Sequence, residues 1–215
     1  MAPQRMPLQG ILFDWDGTLV DSYQADSSAY FAMFKEMGID WGEQELAQHY
    51  SPDWYEVYRA ARLPRKHWDA ADLAWRRHYA KYHPQLIVGV RRVLSKLAAK
   101  HHLGLVTSGD RDRVHKQLRA FRLTSTFAAR VCSGDTKRRK PHPEPLLMAL
   151  RQMRLAPAAC VYVGDSPQDM QMARRAGVRA IGVIGSFPTE AGLRAEKPEK
   201  LLNSLAELPA ALKSF

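Results

Sequence analysis

The sequence predicts a doubly wound parallel α/β sheet interrupted by a wholly helical insert. Short apolar runs that end in acidic, hydroxyl or glycine residues alternate with segments of helical periodicity through the second half of the chain. The first such run, at 10–14, stands apart from the others, separated by a stretch that carries helical stripes and no strand pattern. With 215 residues, 46% of them hydrophobic, there is material for one core and a small additional unit.

The elements follow in order. Gly10-Ile-Leu-Phe-Asp14 is a short apolar run of the kind a buried parallel strand shows. Residues 22–82 then read as helices. Ala29, Tyr30, Met33, Phe34 and Met37 make one stripe, closed by Gly38. Trp54, Val57, Tyr58 and Ala61 make a second, opened by Ser51-Pro52-Asp53 as an N-cap followed by proline at the first helical position. Trp68, Ala71, Trp75, Tyr79 and Tyr82 make a third, stopped by Pro84. Helical spacing alone accounts for these aromatic residues, so they are read as the core of the insert, not as a ligand cage. Four strands follow, at 103–107, 130–132, 160–164 and 179–184. Between and beside them lie helices marked by Val90, Val93, Leu94 and Leu97, by Val114 and Leu118, by Leu146, Leu150 and Met153, and by Met170, Ala173 and Ala176 with Gly177 as a stop. In such a sheet, ligands bind outside the carboxyl ends of the strands.

Composition narrows the function classes. Lys and Arg exceed Asp and Glu by 32 to 22, a net charge of +10 that is densest between residues 91 and 140 and invites an anionic partner. No zinc-finger spacing, RNP-like motif or basic-region heptad accompanies it. No nucleic-acid partner is therefore expected, and a solvated basic surface is the plainer reading. No run approaches the length of a membrane span. The early apolar segment 9–20 is short and holds Asp14 and Asp16, which excludes a secretory core and an anchor. Cys132 and Cys160 each sit in a strand-like run, which gives no disulfide framework and a cytoplasmic location as the expectation. Oligomeric state leaves no signal.

Four motifs fall at strand ends. Asp14-Trp-Asp16-Gly-Thr18 places two carboxylates on a turning chain, with Gly17 permitting the tight departure. Thr107-Ser108-Gly109 closes the second strand with hydroxyls. Lys140-Pro-His-Pro143 puts a cation on a proline-stiffened loop. Gly164-Asp165-Ser-Pro-Gln-Asp169 places two more acids where a strand opens a helix. Hard carboxylate oxygens suit Mg²⁺, which commonly bridges protein to a substrate phosphate. Lysine and backbone N–H groups neutralise phosphoryl oxygens, and a carboxylate can itself be the nucleophile.

This order of motifs resembles the haloacid dehalogenase superfamily, and Asp14-Trp-Asp-Gly-Thr-Leu-Val-Asp-Ser22 is similar to its phosphoglycolate phosphatase-like branch. The resemblance implies a Rossmann-like core of residues 1–17 and 87–215 with a helical cap at 18–86. It implies Mg²⁺-dependent hydrolysis of a small phosphorylated metabolite through an aspartyl-phosphate. Asp14 would be the nucleophile. Asp16 would be the general acid and base, its backbone carbonyl also binding the metal. Thr107 and the N–H of Ser108 would hold the phosphoryl group, and Lys140 would neutralise charge. Asp165 would bind Mg²⁺, with Asp169 in or behind the coordination shell. Asp169 also has a plainer reading as a first-turn acid favoured by the helix dipole. Family dehalogenases lack an acid at the position of Asp16, because halide leaves without a proton; its presence here favours phosphate esters. A sugar-phosphate mutase of the same branch uses the same residues and stays open. So does a binding or regulatory protein whose basic surface engages a partner.

Three further expectations concern single residues. Asp21 matches the acid after the first motif but reads equally as a cap for the first insert helix. Arg111 and Arg113 are expected to face solvent. Arg59, Arg62, Arg65 and Lys66 cluster around Pro64 and are either a solvated helix–helix turn or a loop that reads an anionic leaving group.

Overall fold

A computed structural model describes residues 7–215, so the first six residues of the expected core segment 1–17 lie outside the described residues. In chain order the elements are β1 (Gly10–Phe13), β2 (Val20–Asp21), α1 (Tyr23–Glu36), α2 (Glu43–His49), α3 (Trp54–Ala60), α4 (Trp68–Tyr79), β3 (Gln85–Leu86) and α5 (Val90–Ala98). Then come β4 (His102–Asp110), α6 (Arg111–Ala120), β5 (Ala129–Ser133), α7 (Glu144–Met153), β6 (Cys160–Gly164) and α8 (Pro167–Arg175). β7 (Arg179–Val183), α9 (Glu190–Ala195), β8 (Lys200–Leu202) and α10 (Leu208–Ala211) complete the chain.

Six strands form one parallel sheet in the order β5-β4-β1-β6-β7-β8. From β1 the chain builds outward on one side through β4 and β5, then returns to β6 and builds outward on the other. The direction therefore switches at β1, which puts the crevice for a ligand at the carboxyl end of that strand. Both faces are covered, and strand alternation decides what each face meets. Ile11 and Phe13 turn to a cluster with Val93, Leu97, Val114 and Leu118 of α5 and α6. Leu12 turns to the opposite cluster, with Leu146, Ala149, Met172 and Ala173 of α7 and α8. Burying each such aliphatic side chain contributes roughly 1.5–3 kcal/mol. This is the Rossmann-like doubly wound sheet that the sequence predicts.

The helices α1 to α4 bury a third cluster of their own, built on Met33, Phe34, Leu46, Val57, Tyr58 and Ala71. β2 and β3 pair antiparallel, Val20 opposite Leu86 and Asp21 opposite Gln85, so the chain leaves and re-enters the sheet side by side. Six short elements have no counterpart in the sequence reading: β2, α2, β3, α9, β8 and α10. α2 buries only Leu46, too little to make a stripe, and β8 buries only Leu202. Two caps also differ from expectation. The N-cap of α3 is Asp53, which accepts from the Tyr55 N–H at 3.3 Å, while Ser51 accepts from the N–H of Asp53 at 3.2 Å. α1 is capped by Ser22 without a side-chain bond, and Asp21 instead accepts from the Ser186 hydroxyl at 2.9 Å. No helix among the described residues is long and apolar enough to cross a membrane.

Candidate active site

The site begins where the β1 ladder ends. The N–H of Asp14 donates to Val163 O at 2.9 Å, extending the pairing with β6 by one residue, and the chain then turns tightly, with Gly17 N and Val20 N bonded to Val20 O and Trp15 O. Trp15 anchors the turn. It is fully buried in the sheet core and its Nε1 donates to Gln117 Oε1 at 2.8 Å, so Asp14 and Asp16 on either side of it turn away into the crevice. Gly17 sits at φ +77°, and a Cβ there would lie 2.2 Å from Asp165 Oδ2. Only glycine lets this turn lie against the second motif.

Asp165 enters from the end of β6. Its Oδ1 accepts from the Thr18 hydroxyl at 3.0 Å and its carbonyl from the Thr189 hydroxyl at 2.7 Å. Asp169 opens α8, where it closes a capping box with Ser166: Oδ2 accepts from the Ser166 N–H at 3.1 Å and hydroxyl at 2.7 Å. Its Oδ1 lies 2.7 Å from Lys140 Nζ and 3.2 Å from the Tyr162 hydroxyl. Lys140 is buried and also donates to Asp14 Oδ1 at 2.7 Å, bridging the two carboxylates. Asp169 is thus the first-turn acid of α8 and at the same time a partner of Lys140.

Asp14, Asp165 and Asp169 each bring a carboxylate oxygen within 4.8 Å of the others, all buried. Burial pushes the Asp14 pKa up to about 7, with Lys140 opposing and Asp169 adding to the rise. Burial and the charges of Asp14 and Asp169 hold Asp165 well above the ordinary carboxylate range. For Lys140, burial alone would lower the pKa, but Asp14 and Asp169 outweigh it and hold the ammonium charged. One ammonium thus stands against three carboxylates. The donor set is hard, anionic and short of positive charge, and it fits a divalent metal ion held by Asp14 and Asp165, with Asp169 already occupied by its own partners.

Thr107 and Ser108 line the same cavity at the end of β4. The Thr107 hydroxyl accepts from Gly109 N at 2.9 Å, which fixes the turn. Asp16 lies apart from the three-carboxylate group. Ser22 donates to its Oδ1 at 2.8 Å, and Arg113 grips it with both terminal nitrogens, at 2.9 Å and 2.6 Å. Burial alone would raise its pKa, but the Arg113 charge and these hydrogen bonds hold it below the usual carboxylate range.

Arg113 corrects an expectation. It does not face solvent: its side chain is 16% exposed, and it lies over the Tyr79 ring at 4.8 Å. Gly109 makes this reach feasible, since a Cβ there would stand 2.5 Å from Arg113 Nη2. Arg111 is exposed as expected, paired with Asp135. The aromatic stripes form the insert's core, as expected, and some of their residues have a second place. Tyr30, Tyr58 and Trp75 pack in the insert's core and line the cavity as well, joined by Tyr50 and Trp54. The cations around Pro64 do not reach it. Arg62, Arg65 and Lys66 are exposed, while Arg59 pairs with Glu56 at 2.5 Å and, like Arg65, lies over Trp68.

The helical segment meets the sheet around this cavity. Arg139 pairs with Asp53 at 3.3 Å and stacks over Trp54 at 3.9 Å, and Arg76 pairs with Asp110 at 2.8 Å.

Fold and site together define an α/β protein with three acids and a lysine gathered at the switch point of its parallel sheet. The sequence matches the family described as haloacid dehalogenase-like hydrolase over residues 11–183, and the chain belongs to that family. It is 29% identical over 213 residues to a protein of Caldanaerobacter subterraneus provisionally named pyrophosphatase PpaX, covering 97% of this chain and 96% of the relative. It is 28% identical over 240 residues to the phosphoglycolate phosphatase of Escherichia coli K12, covering 95% and 92%. A crystal structure from Lactobacillus plantarum, provisionally named a phosphoglycolate phosphatase, superposes with a TM-score of 0.88 at 22% identity over 95% of this chain and 99% of that one. At that identity the likeness speaks for the fold alone.

Proposed function

We propose that this protein is a Mg²⁺-dependent phosphatase of a small phosphorylated metabolite, working through an aspartyl-phosphate. The observation that carries the reading is the bridge of Lys140 between Asp14 and Asp169, at 2.7 Å to each, beside Asp165 at the switch point of the sheet. Residues 18–86 are taken as the cap that covers this point.

In this reading Asp14 attacks the phosphorus. Thr107 and the N–H of Ser108 hold the phosphoryl oxygens, and Lys140 neutralises the charge that builds on them. Asp14 and Asp165 would hold Mg²⁺, with help from the Asp16 carbonyl and with Asp169 orienting Lys140 from behind. Bound there, the metal supplies Lewis-acid stabilisation of the phosphoryl group. Asp16, protonated when the ester is bound, would give that proton to the departing alkoxide. The carboxylate so formed, the state that Arg113 grips in the structure, takes a proton from the water that later attacks the aspartyl-phosphate and is thereby returned to its protonated form. The pairing of Asp16 with Arg113 and Ser22 keeps it a base between those steps. The two buried thiols, Cys132 and Cys160, fit a reducing cytoplasm.

The test is release of inorganic phosphate from a panel of phosphorylated metabolites in Mg²⁺, with trapping of a phosphoenzyme on Asp14 by acid quench and peptide mapping. Phosphate release without label on Asp14 would refute the covalent route. No release from any ester would refute the activity.

A further inference from the structure

The wall of the cavity that faces the catalytic carboxylates comes from the helical segment, and its charges are already sorted. Two guanidinium groups are at hand, Arg76 in this wall and Arg113 on α6 beside the sheet. Arg76 is paired with Asp110 at 2.8 Å and Arg113 with Asp16 at 2.6 Å. Two acids also line this wall, and neither has an ion-pair partner among the described residues. Asp72 accepts only from the Tyr58 hydroxyl, at 2.9 Å. Asp26 leaves its Oδ2 buried with no partner at all. The indole N–H groups of Trp54 and Trp75 are buried and unpartnered as well. Unmade bonds of this kind cost free energy in the folded protein, so a ligand that makes them is bound with that advantage. The remaining wall is aromatic, with Tyr30 and Tyr50 beside the two tryptophans.

We propose that this cavity selects phosphate esters whose leaving group is an uncharged or cationic alcohol, bearing hydroxyl or amino donors on a ring-sized apolar body, and disfavours leaving groups with a carboxylate or second phosphate. The inference rests on the phosphatase reading and concerns which esters that site takes. Asp26, Trp54 and Trp75 line the cavity, and a small side-chain rotation brings Asp26 Oδ2 to a donor on the leaving group, or an indole N–H to an oxygen on it. The ring faces supply apolar contact and, for an ammonium, cation–π attraction. An anionic leaving group finds no unpaired guanidinium in the wall. To gain one it must break the pair with Asp110 or with Asp16, and its charge opposes the ionisation of Asp26 and Asp72 beside it. Burial pushes the Asp26 pKa up to about 8, so near neutral pH the carboxyl is largely protonated, and a cationic or donor group brought against it draws it toward the ionised form. The relatives named for pyrophosphate and phosphoglycolate act on anionic leaving groups, so the prediction separates this chain from those names.

The experiment uses three esters that share a phosphorylated phenol and differ only at the para position: aminomethyl, hydroxymethyl and carboxyl. Expected is a kcat/KM for the aminomethyl and hydroxymethyl esters at least about ten-fold above that for the carboxyl ester, the size of one charge-assisted hydrogen bond. Asp26→Asn should shrink the aminomethyl-to-carboxyl ratio by about ten-fold. A merely structural defect would lower both rates and leave the ratio standing. The same ranking is read without turnover from the affinities of the matching benzylphosphonates, followed by tryptophan fluorescence in Mg²⁺. Ranked binding without hydrolysis of any ester overturns the phosphatase reading and supports the selectivity. Hydrolysis or binding with no preference, with the carboxyl compound preferred, or with a ratio that Asp26→Asn leaves untouched overturns the selectivity.

Discussion

The guanidinium of Arg113 meets the carboxylate of Asp16 edge to edge, Nη2 at 2.6 Å from Oδ2 and Nη1 at 2.9 Å from Oδ1, across 97 residues of sequence. Both side chains are largely buried, so water screens the pair only weakly and its bidentate geometry holds it. The same guanidinium donates to the Tyr79 hydroxyl at 3.2 Å, which ties this pair to α4. The proposed proton-transfer group and the helical segment thus share one cation.

Removing that cation should move the pH profile. In Arg113→Met, Asp16 keeps its burial and loses the charge that holds its pKa down. The acidic limb of kcat, where Asp16 must be ionised to activate water, should then shift to higher pH by about one unit or more. A lowered rate with an unmoved limb would show that Arg113 acts through packing alone.

Asp14→Asn should reduce turnover by roughly three orders of magnitude or more while the protein stays folded, because the amide is nearly isosteric but a poor nucleophile. Lys140 keeps its second partner, Asp169, at 2.7 Å, so the ammonium is not stranded. Phosphate release by purified variant and a thermal melt check the two halves. Near wild-type activity would rule out Asp14 as the attacking group.

Much of this site was legible because the sheet does the gathering. Asp14, Lys140 and Asp165 lie far apart in the chain, but each follows a strand end, and a parallel sheet brings such ends to one edge. Arg113 was not legible. Among the many cations of 91–140 nothing local marks it, and its burial depends on Gly109 leaving space and on Asp16 standing opposite. Asp26 was hidden for a related reason: an acid in the first turn of a helix reads as a dipole partner, and only the tertiary structure shows one oxygen sealed without a bond. The aromatic stripes carried two messages, core and cavity wall, and helical periodicity transmits only the first.

Metal dependence should follow the charge imbalance at Asp14, Asp165 and Asp169. Activity is expected to vanish in EDTA and return with Mg²⁺, while Ca²⁺, with its looser and larger shell, should inhibit. Since Asp14 sits near pH 7 without metal, Mg²⁺ binding should release protons around neutrality and weaken as pH falls below about 7. Calorimetry in buffers of different ionisation heat reads this directly. Full activity in excess EDTA would dispose of the metal.

Asp26 gives a stability prediction that needs no substrate. Its folded pKa of about 8 lies well above the 3.8 of an ordinary aspartate. The folded state therefore binds more protons than the unfolded one between those values, and stability falls as pH rises through that window. Asp26→Asn removes the titration. Its stability relative to wild type should improve from about pH 4 to about pH 8 and then level off, a gain on the order of 1 kcal/mol or more, or a few degrees in Tm. A difference independent of pH would mean that Asp26 is not held protonated.

Gly109→Ala tests the Arg113–Asp16 pair without touching either residue. The new Cβ would stand 2.5 Å from Arg113 Nη2, 2.8 Å from Val114 Cγ2 and 3.1 Å from Asp16 Oδ2. The guanidinium is the end of a flexible side chain and can give way, whereas Val114 is fully buried in the sheet core and cannot move far. The substitution should therefore be tolerated at a cost of about 1–3 kcal/mol, the range for overpacking, and should displace Arg113 from Asp16. If so, its acidic limb moves upward in the same direction as that of Arg113→Met. Combining the two substitutions should then move the limb no further than Arg113→Met alone, since both break the same contact. Additive shifts in the double variant would mean that Gly109 serves the phosphoryl-binding turn, through its N–H bond to Thr107, and not the reach of Arg113.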